Sequence, residues 1–233
     1  MRLLALDSGT ETLSVALTDG VRLWQRTAAG GGQASSTVLP TIGALMAEAG
    51  LAFAQLDAVV FGCGPGSFTG LRTACSVAQG LAFGAGVPVL PVDSLLAVAE
   101  EARHRHGCSR VLAVLDARMD QVYAAAYAFE AGGWRREADF SLLAPQHLRL
   151  APGYVLAGNA QAVYGARLPA PQDGAPAIEA LPTAAALLRL APALLAAGAA
   201  VAARHALPHY IRDKVAQTSE ERAAAKAAAD PKQ

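Results

Sequence analysis

The feature that most constrains this chain is an internal echo. LLALDSGTETLSVALTDGVRLWQR near the start and RVLAVLDARMDQVYAAAYAFEAGGWRRE in the middle share one order. Each has an apolar run ending in Asp, a short corner, a longer run, a glycine turn and a third run carrying Trp. Trp24 follows Asp7 by 17 residues, and Trp134 follows Asp116 by 18. In the first copy Leu13, Val15 and Leu17 alternate with Ser14, Ala16 and Thr18, the two-residue period of a strand. Asp19-Gly20 predicts a tight hairpin before VRLWQR. A chain that carries this unit twice is directed towards two related lobes, with Asp7 and Asp116 at matching corners.

The intervening segments alternate strand and helix patterns. AAGGGQASS reads as a loop, VLPTIGALMAEAG as a helix stopped by Gly50, and LDAVVFG as a buried strand. FTGLRTACSVAQGLAFGAG is predicted helical, VPVLPV a strand, and DSLLAVAEEARHRHG a helix capped by Asp93 or Ser94. YVLAGN reads as a strand, AQAVYG as a short helix and 165–182 as loop. TAAALLRL and ALLAAG are helical on either side of Pro192, which is expected to break or kink the run. Thr218 and Glu221 form a capping box for a last helix without an apolar stripe, read as a frayed surface tail. This alternation predicts an α/β protein of mixed sheets covered by helices. The lobes are placed at residues 1–106 and 107–206, with about 207–233 returning to the first.

Composition narrows the function. Nineteen basic and nineteen acidic side chains cancel, so the chain offers no general attraction to nucleic acid, and any RNA contact must be local or supplied by a partner. Cys63, Cys75 and Cys108 fit no zinc spacing and suggest buried thiols in a reducing compartment. The apolar run at 190–203 contains Pro192 and Gly198 and is shorter than the ~20 residues of a membrane span. The run before Asp7 is too short for a secretory signal, so a soluble, cytoplasmic protein is expected.

GCGPGSFTGLR, residues 62–72, lies between a strand and a helix. It lacks the lysine of a phosphate P-loop and the third glycine of a dinucleotide fingerprint. Ser67 lacks the flanking glycines of a nucleophile elbow, which weakens a hydrolase reading; Pro65 and Thr69 stand in their places. What remains is a rigid turn that places a helix N-terminus, with Ser67 or Thr69 as cap. The helix beyond it carries Ala74, Cys75, Ser76, Ala78, Gly80 and Ala82, small enough for close approach of another helix from this chain or a partner. Arg72 is badly placed for the helix dipole, so a carboxylate, a phosphate or simple solvation must account for it. The corner Asp7-Ser8-Gly9-Thr10 has the makings of a metal–phosphate clasp, but DARMDQ in the second copy lacks glycine and hydroxyls. That argues against an ATP-dependent phosphotransferase, which would need both. ARHRHGCSR supplies cations to a helix end; a local RNA contact is the alternative.

Taken together, LLALDSGTETLSVAL, LDAVVFGCGPGSFTGLRTACSVAQGLAFGAGVPVLPVDSL and VLDARMDQVYAAAY resemble the bacterial TsaB (YeaZ) family. The match runs in order through residues 2–128, and HYIRDKVA resembles the family's closing segment. The resemblance implies an actin-like, sugar-kinase-like (ASKHA) fold of two duplicated lobes, each a mixed sheet flanked by helices. It also implies a subunit without catalytic residues, metal or tightly bound cofactor. Such a subunit pairs with TsaD, which forms threonylcarbamoyladenosine beside the anticodon of tRNA. TsaE, an ATPase, binds the pair, ATP is used through partner subunits, and tRNA is met indirectly. A homodimer is possible when TsaD is absent. The implied interface comprises Gly64, Pro65, Gly66, Ser67, Phe68, Thr69, Gly70, Arg72, Cys75, Ala78, Gln79 and Ala82, with Asp7, Ser8, Gly9 and Thr10 as a degenerate phosphate corner. Family members often carry a histidine six residues before the proline that is Pro40 here; this chain has Ala34. It also lacks the helical histidine pair that holds the metal of TsaD.

Overall fold

The computed structural model describes residues 1–170 and 176–212. The first lobe opens with β1 (Leu3–Asp7), β2 (Thr12–Thr18) and β3 (Leu23–Ala29), then α1 (Ala34–Ala49), β4 (Ala58–Gly64), α2 (Phe68–Ala85), β5 (Val89–Asp93) and α3 (Ser94–His106). The second contains β6 (Arg110–Arg118), β7 (Gln121–Glu130), β8 (Gly133–Arg136), β9 (Ser141–Leu143), β10 (Val155–Gly158), α4 (Ala160–Tyr164) and β11 (Ile178–Glu179), and α5 (Ala184–Ala196) then returns to the first.

The duplication is structural. The first sheet has the order β3-β2-β1-β4-β5 and the second β8-β7-β6-β10-β11, with β9 added beside β7. In both, the first three strands form an antiparallel meander, and two more join in parallel. Each sheet is therefore mixed.

The alternation along β1 and β2 assigns the core. Leu4, Leu6, Leu13, Val15 and Leu17 pack under α1 and α2, with Val38, Ile42, Leu45, Ala74 and Ala78. Leu3, Ala5 and Ala16 point to the opposite face and meet Ala184, Leu187, Leu190 and Ala191 of α5. Fully burying each Leu or Val contributes about 1.5–3 kcal/mol, which is what holds these helices to the sheet. Ser14, on the same side as Ala16, accepts a hydrogen bond from Ala184 N–H at 2.9 Å and so fixes the start of α5.

Several local expectations need correction. The turn after β2 spans Asp19 to Arg22, longer than a two-residue hairpin. The Asp19 carboxylate organises it by accepting from Val21 and Arg22 N–H. Residues 31–33 form a single 3₁₀ turn that leads directly into α1 at Ala34, so the glycine-rich segment is not wholly loop. Pro192 does not end its helix, which continues to Ala196. Packing of Leu187, Leu190 and Ala191 on the first sheet outweighs the backbone bond that proline removes. Of the two expected caps of α3, Asp93 fills the position as anticipated, accepting from Leu95 N–H at 2.8 Å. The return to the first lobe starts well before residue 207: α5 lies on the first sheet, and Val201 bridges Val89. An apolar helix is needed there because α3, through Ala97, covers only part of that sheet face. The capping box at Thr218 and Glu221 lies outside the described residues.

Candidate functional site

The corner after β1 and the turn before α2 are built against each other. Asp7 is fully buried; its Oδ1 accepts from Gly9 N–H at 2.8 Å and its Oδ2 from the Ser94 hydroxyl at 3.0 Å. Burial pushes the Asp7 carboxyl up to about 6, against the opposing pull of those two donors. The Ser8 hydroxyl donates to the Gly70 carbonyl at 2.8 Å, and Ser67 N–H donates to the Gly9 carbonyl at 2.7 Å. A Cβ on Gly70 would lie 1.8 Å from the Ser8 carbonyl oxygen, and one on Gly66 2.7 Å from that of Gly9. Gly66 and Gly70 of GPGSFTG are therefore required by this chain's own corner. Ser67 is the N-cap of α2, its Oγ accepting from Gly70 N–H at 3.3 Å. Thr10 turns its hydroxyl onto the backbone of Thr12.

Arg72 also finds its partner within the chain. Its Nε donates to the Tyr210 hydroxyl at 3.0 Å, and its guanidinium sits 3.8 Å from the centre of the Phe68 ring. Gln79 Nε2 donates to the Ala206 carbonyl at 2.8 Å, and the Cys75 thiol lies 3.4 Å from the same oxygen.

Expectations for the interface must accordingly be rotated about the helix. Cys75, Ala78 and Ala82 are buried in the first lobe's core, as are Gly64, Pro65 and Gly70 in the turn. They cannot form an open docking face. The open face of α2 is Thr69, Arg72, Ser76, Gly80, Phe83 and Gly84. Phe83 is 83% exposed, and a Cβ on Gly80 or Gly84 would meet nothing within 4 Å. The neighbouring α1 exposes Leu39, Pro40, Gly43, Ala44 and Ala47. The two helices thus expose small and apolar residues, alongside Thr69, Arg72 and Ser76 on α2 and Glu48 on α1. The only sequence signal for the rotation was the large Leu71 on the buried side, set against Phe83 on the open side.

Between the lobes lies a cleft of about 430 Å³, lined among others by Thr10, Glu11, Thr69, Asp116, Arg118 and Arg212. Asp116 matches Asp7 in position but not in environment. It accepts from the Tyr164 hydroxyl at 2.7 Å and from Arg118 N–H at 2.8 Å. Arg118 then crosses the cleft to Glu11 at 3.3 Å. Sequence reasoning missed Glu11, Arg118 and Arg212, because no local motif marks contacts made across 93 to 107 residues. Behind the cleft, Asp93 accepts from the Tyr127 hydroxyl, and burial pushes its carboxyl up to about 6. Burial, with the charges of Asp93 and Asp7, pushes the Cys63 thiol up to about 12, which leaves it unreactive. Among the described residues no cluster of three metal-ligating side chains occurs, and no helix is long and apolar enough to cross a membrane.

Two duplicated lobes with Asp-ended corners facing one cleft place the chain among the actin-like, sugar-kinase-like α/β proteins. Within that class, the TsaD family, tRNA N6-adenosine threonylcarbamoyltransferase, matches residues 32–148. The tRNA threonylcarbamoyladenosine biosynthesis protein TsaB of Escherichia coli is 35% identical over 93% of this chain and 96% of its own length. The protein of that name from Haemophilus influenzae is 46% identical over 53% of this chain and 52% of its own. The structure of YeaZ from Pseudomonas aeruginosa superposes with a TM-score of 0.81 at 36% identity, covering 90% of this chain and 99% of that one. The chain belongs to the TsaB (YeaZ) family.

Proposed function

We propose that this chain is the non-catalytic subunit of the assembly that forms threonylcarbamoyladenosine in tRNA, and that it pairs with a TsaD-type subunit through the open face of α1 and α2. The observation that carries this reading is the exposed surface of Leu39, Gly43, Gly80 and Phe83, whose glycines nothing inside the chain requires. A bound helix would supply the missing reason, since glycine lets backbones approach closely. The match of half the chain to the TsaD family adds a second argument. Two subunits descended from one fold can present equivalent faces to each other, as in a two-fold dimer. The same surface would then serve a homodimer when TsaD is absent.

The non-catalytic reading is supported by how the corner residues are used. Asp7 spends both carboxylate oxygens on internal donors, Ser8 and Ser67 are tied to Gly70, and Asp116 is held by Tyr164 and Arg118. ATP chemistry would then belong to TsaD and a TsaE-type partner, and tRNA would be met within the complex. The test is to reconstitute the modification with and without this chain, alongside co-purification with TsaD from the same cell. Loss of modification when the chain is omitted, with a stable 1:1 pair, is expected. Full modification without it would overturn the reading.

A further inference from the structure

Residues 206–212 form neither helix nor strand, yet they touch both lobes. On the first lobe, the Ala206 carbonyl accepts from Gln79 and His209 N–H donates to the Cys63 carbonyl at 2.7 Å. The Tyr210 ring lies 5.4 Å from Phe68, and its hydroxyl accepts from Arg72. Gly64 makes room for this path, because a Cβ there would lie 2.6 Å from the His209 carbonyl oxygen. On the second lobe, the His209 ring meets Phe140 edge-on at 4.9 Å, and Ile211 packs into the core containing Leu115 and Tyr123. Arg212 donates to the carbonyls of Ala117 at 2.9 Å and Arg118 at 3.3 Å, and reaches Met119 Sδ at 3.3 Å.

Arg212 thereby grips an unusual corner. Arg118, Met119 and Asp120 have φ of +60°, +54° and +61°, the left-handed region that side chains rarely occupy. Such conformations persist only where surroundings hold them. Arg167 holds the far side through Asp120 at 2.5 Å, and Arg212 holds the near side, facing the cleft.

We propose that residues 206–212 are an interlobe strap that sets the width of the cleft, and that release of its second-lobe end opens it. Away from the cleft the lobes are joined by the α3 helix, whose Leu95, Val98 and Ala102 pack into the second lobe's core, and that side is the hinge. At the mouth, the strap works beside the Arg118–Glu11 pair. Both of those side chains are more than half exposed, and an ion pair so exposed holds little in water. The strap supplies backbone hydrogen bonds, ring contacts and the half-buried Ile211, so it is the dominant tie.

The experiment uses the full chain with Cys108→Ser and spin labels on Gly32→Cys and Gln161→Cys, exposed positions near the two walls of the cleft and outside the strap. Pulsed dipolar spectroscopy then reads the separation of the lobes. Arg212→Ala with Ile211→Ala is expected to shift the distribution to longer separations and broaden it, with the circular dichroism of the parent. Arg212→Ala alone, which removes no core side chain, keeps the test valid if the double variant fails to fold; a smaller shift in the same direction is expected. Glu11→Gln is expected to leave the distribution close to the parent's. An unchanged distribution in the folded strap variants would overturn the proposal. So would a full shift produced by Glu11→Gln alone.

Discussion

Ala78 and Gly80 stand two residues apart on opposite sides of α2: Ala78 is fully buried in the first lobe's core, while a Cβ on Gly80 would meet no atom within 4 Å. Substitutions at the two positions therefore separate folding from docking. Ala78→Glu would place an uncompensated carboxylate against Leu6 and Phe61 in that core. A buried unpaired charge costs several kcal/mol. Urea denaturation should show a loss of at least about 3 kcal/mol or no folded protein. A stable, folded Ala78→Glu chain would mean that the helix is rotated and that Ala78 faces outward.

Gly70→Ala tests the contact between the corner and the turn. The added carbon would lie 1.8 Å from the Ser8 carbonyl oxygen, which is backbone and cannot swing aside. The corner and α2 must separate, breaking the Ser8–Gly70 and Ser67–Gly9 bonds. A loss of about 2–4 kcal/mol is expected by thermal or chemical denaturation, at or above the usual cost of overpacking. A loss below about 1 kcal/mol would contradict the close approach.

Stability should depend on pH through Asp7 and Asp93. Both carboxyls rise from an ordinary 3.8 to about 6, chiefly through burial. A raised carboxyl favours the folded state when protonated. Its contribution is fully present below about 3.8 and is lost as pH rises through about 6. A rise of that size corresponds to about 2–3 kcal/mol per group. Denaturation curves should therefore show the chain less stable at about pH 8 than at about pH 5.5. Asp19 and Asp120, whose carboxyls are lowered by hydrogen bonds, act in the opposite sense in more acidic solution. Asp7→Asn keeps an acceptor for Gly9 and should remove about half of the slope between about pH 5.5 and 8, Asp93 carrying the other half. A slope identical to the parent's would show that Asp7 does not titrate there.

The duplicated unit was legible because each copy repeats an Asp-ended apolar run, a corner and a Trp-bearing third run, and the face each β2 side chain takes follows from simple alternation. Ser67 as N-cap of α2 was legible because a hydroxyl follows the glycine turn. The rotation of α2 was not, because Ala74, Ala78 and Ala82 on one side and Ser76, Gly80 and Gly84 on the other are nearly equal in size and polarity. Hydrophobic periodicity cannot choose between such faces. That α5 continues past Pro192 was not legible, because local propensity is overruled by burial against the first sheet. The pairs Arg118–Glu11, Gln79–Ala206 and Arg72–Tyr210 join segments more than a hundred residues apart, and no local pattern announces them.

The central claim is that the open face of α1 and α2 docks a TsaD-type partner, and Gly80→Arg tests it most directly. Replacing an exposed helical glycine removes a helix-weakening residue worth about 0.5–1 kcal/mol. The variant should therefore melt at or slightly above the parent's temperature. Its long charged side chain would stand where the partner helix must approach. Calorimetric titration with TsaD should show affinity at least about a hundredfold weaker, about 2.7 kcal/mol, alongside unchanged circular dichroism. Parent-like affinity in a folded Gly80→Arg chain would contradict the account.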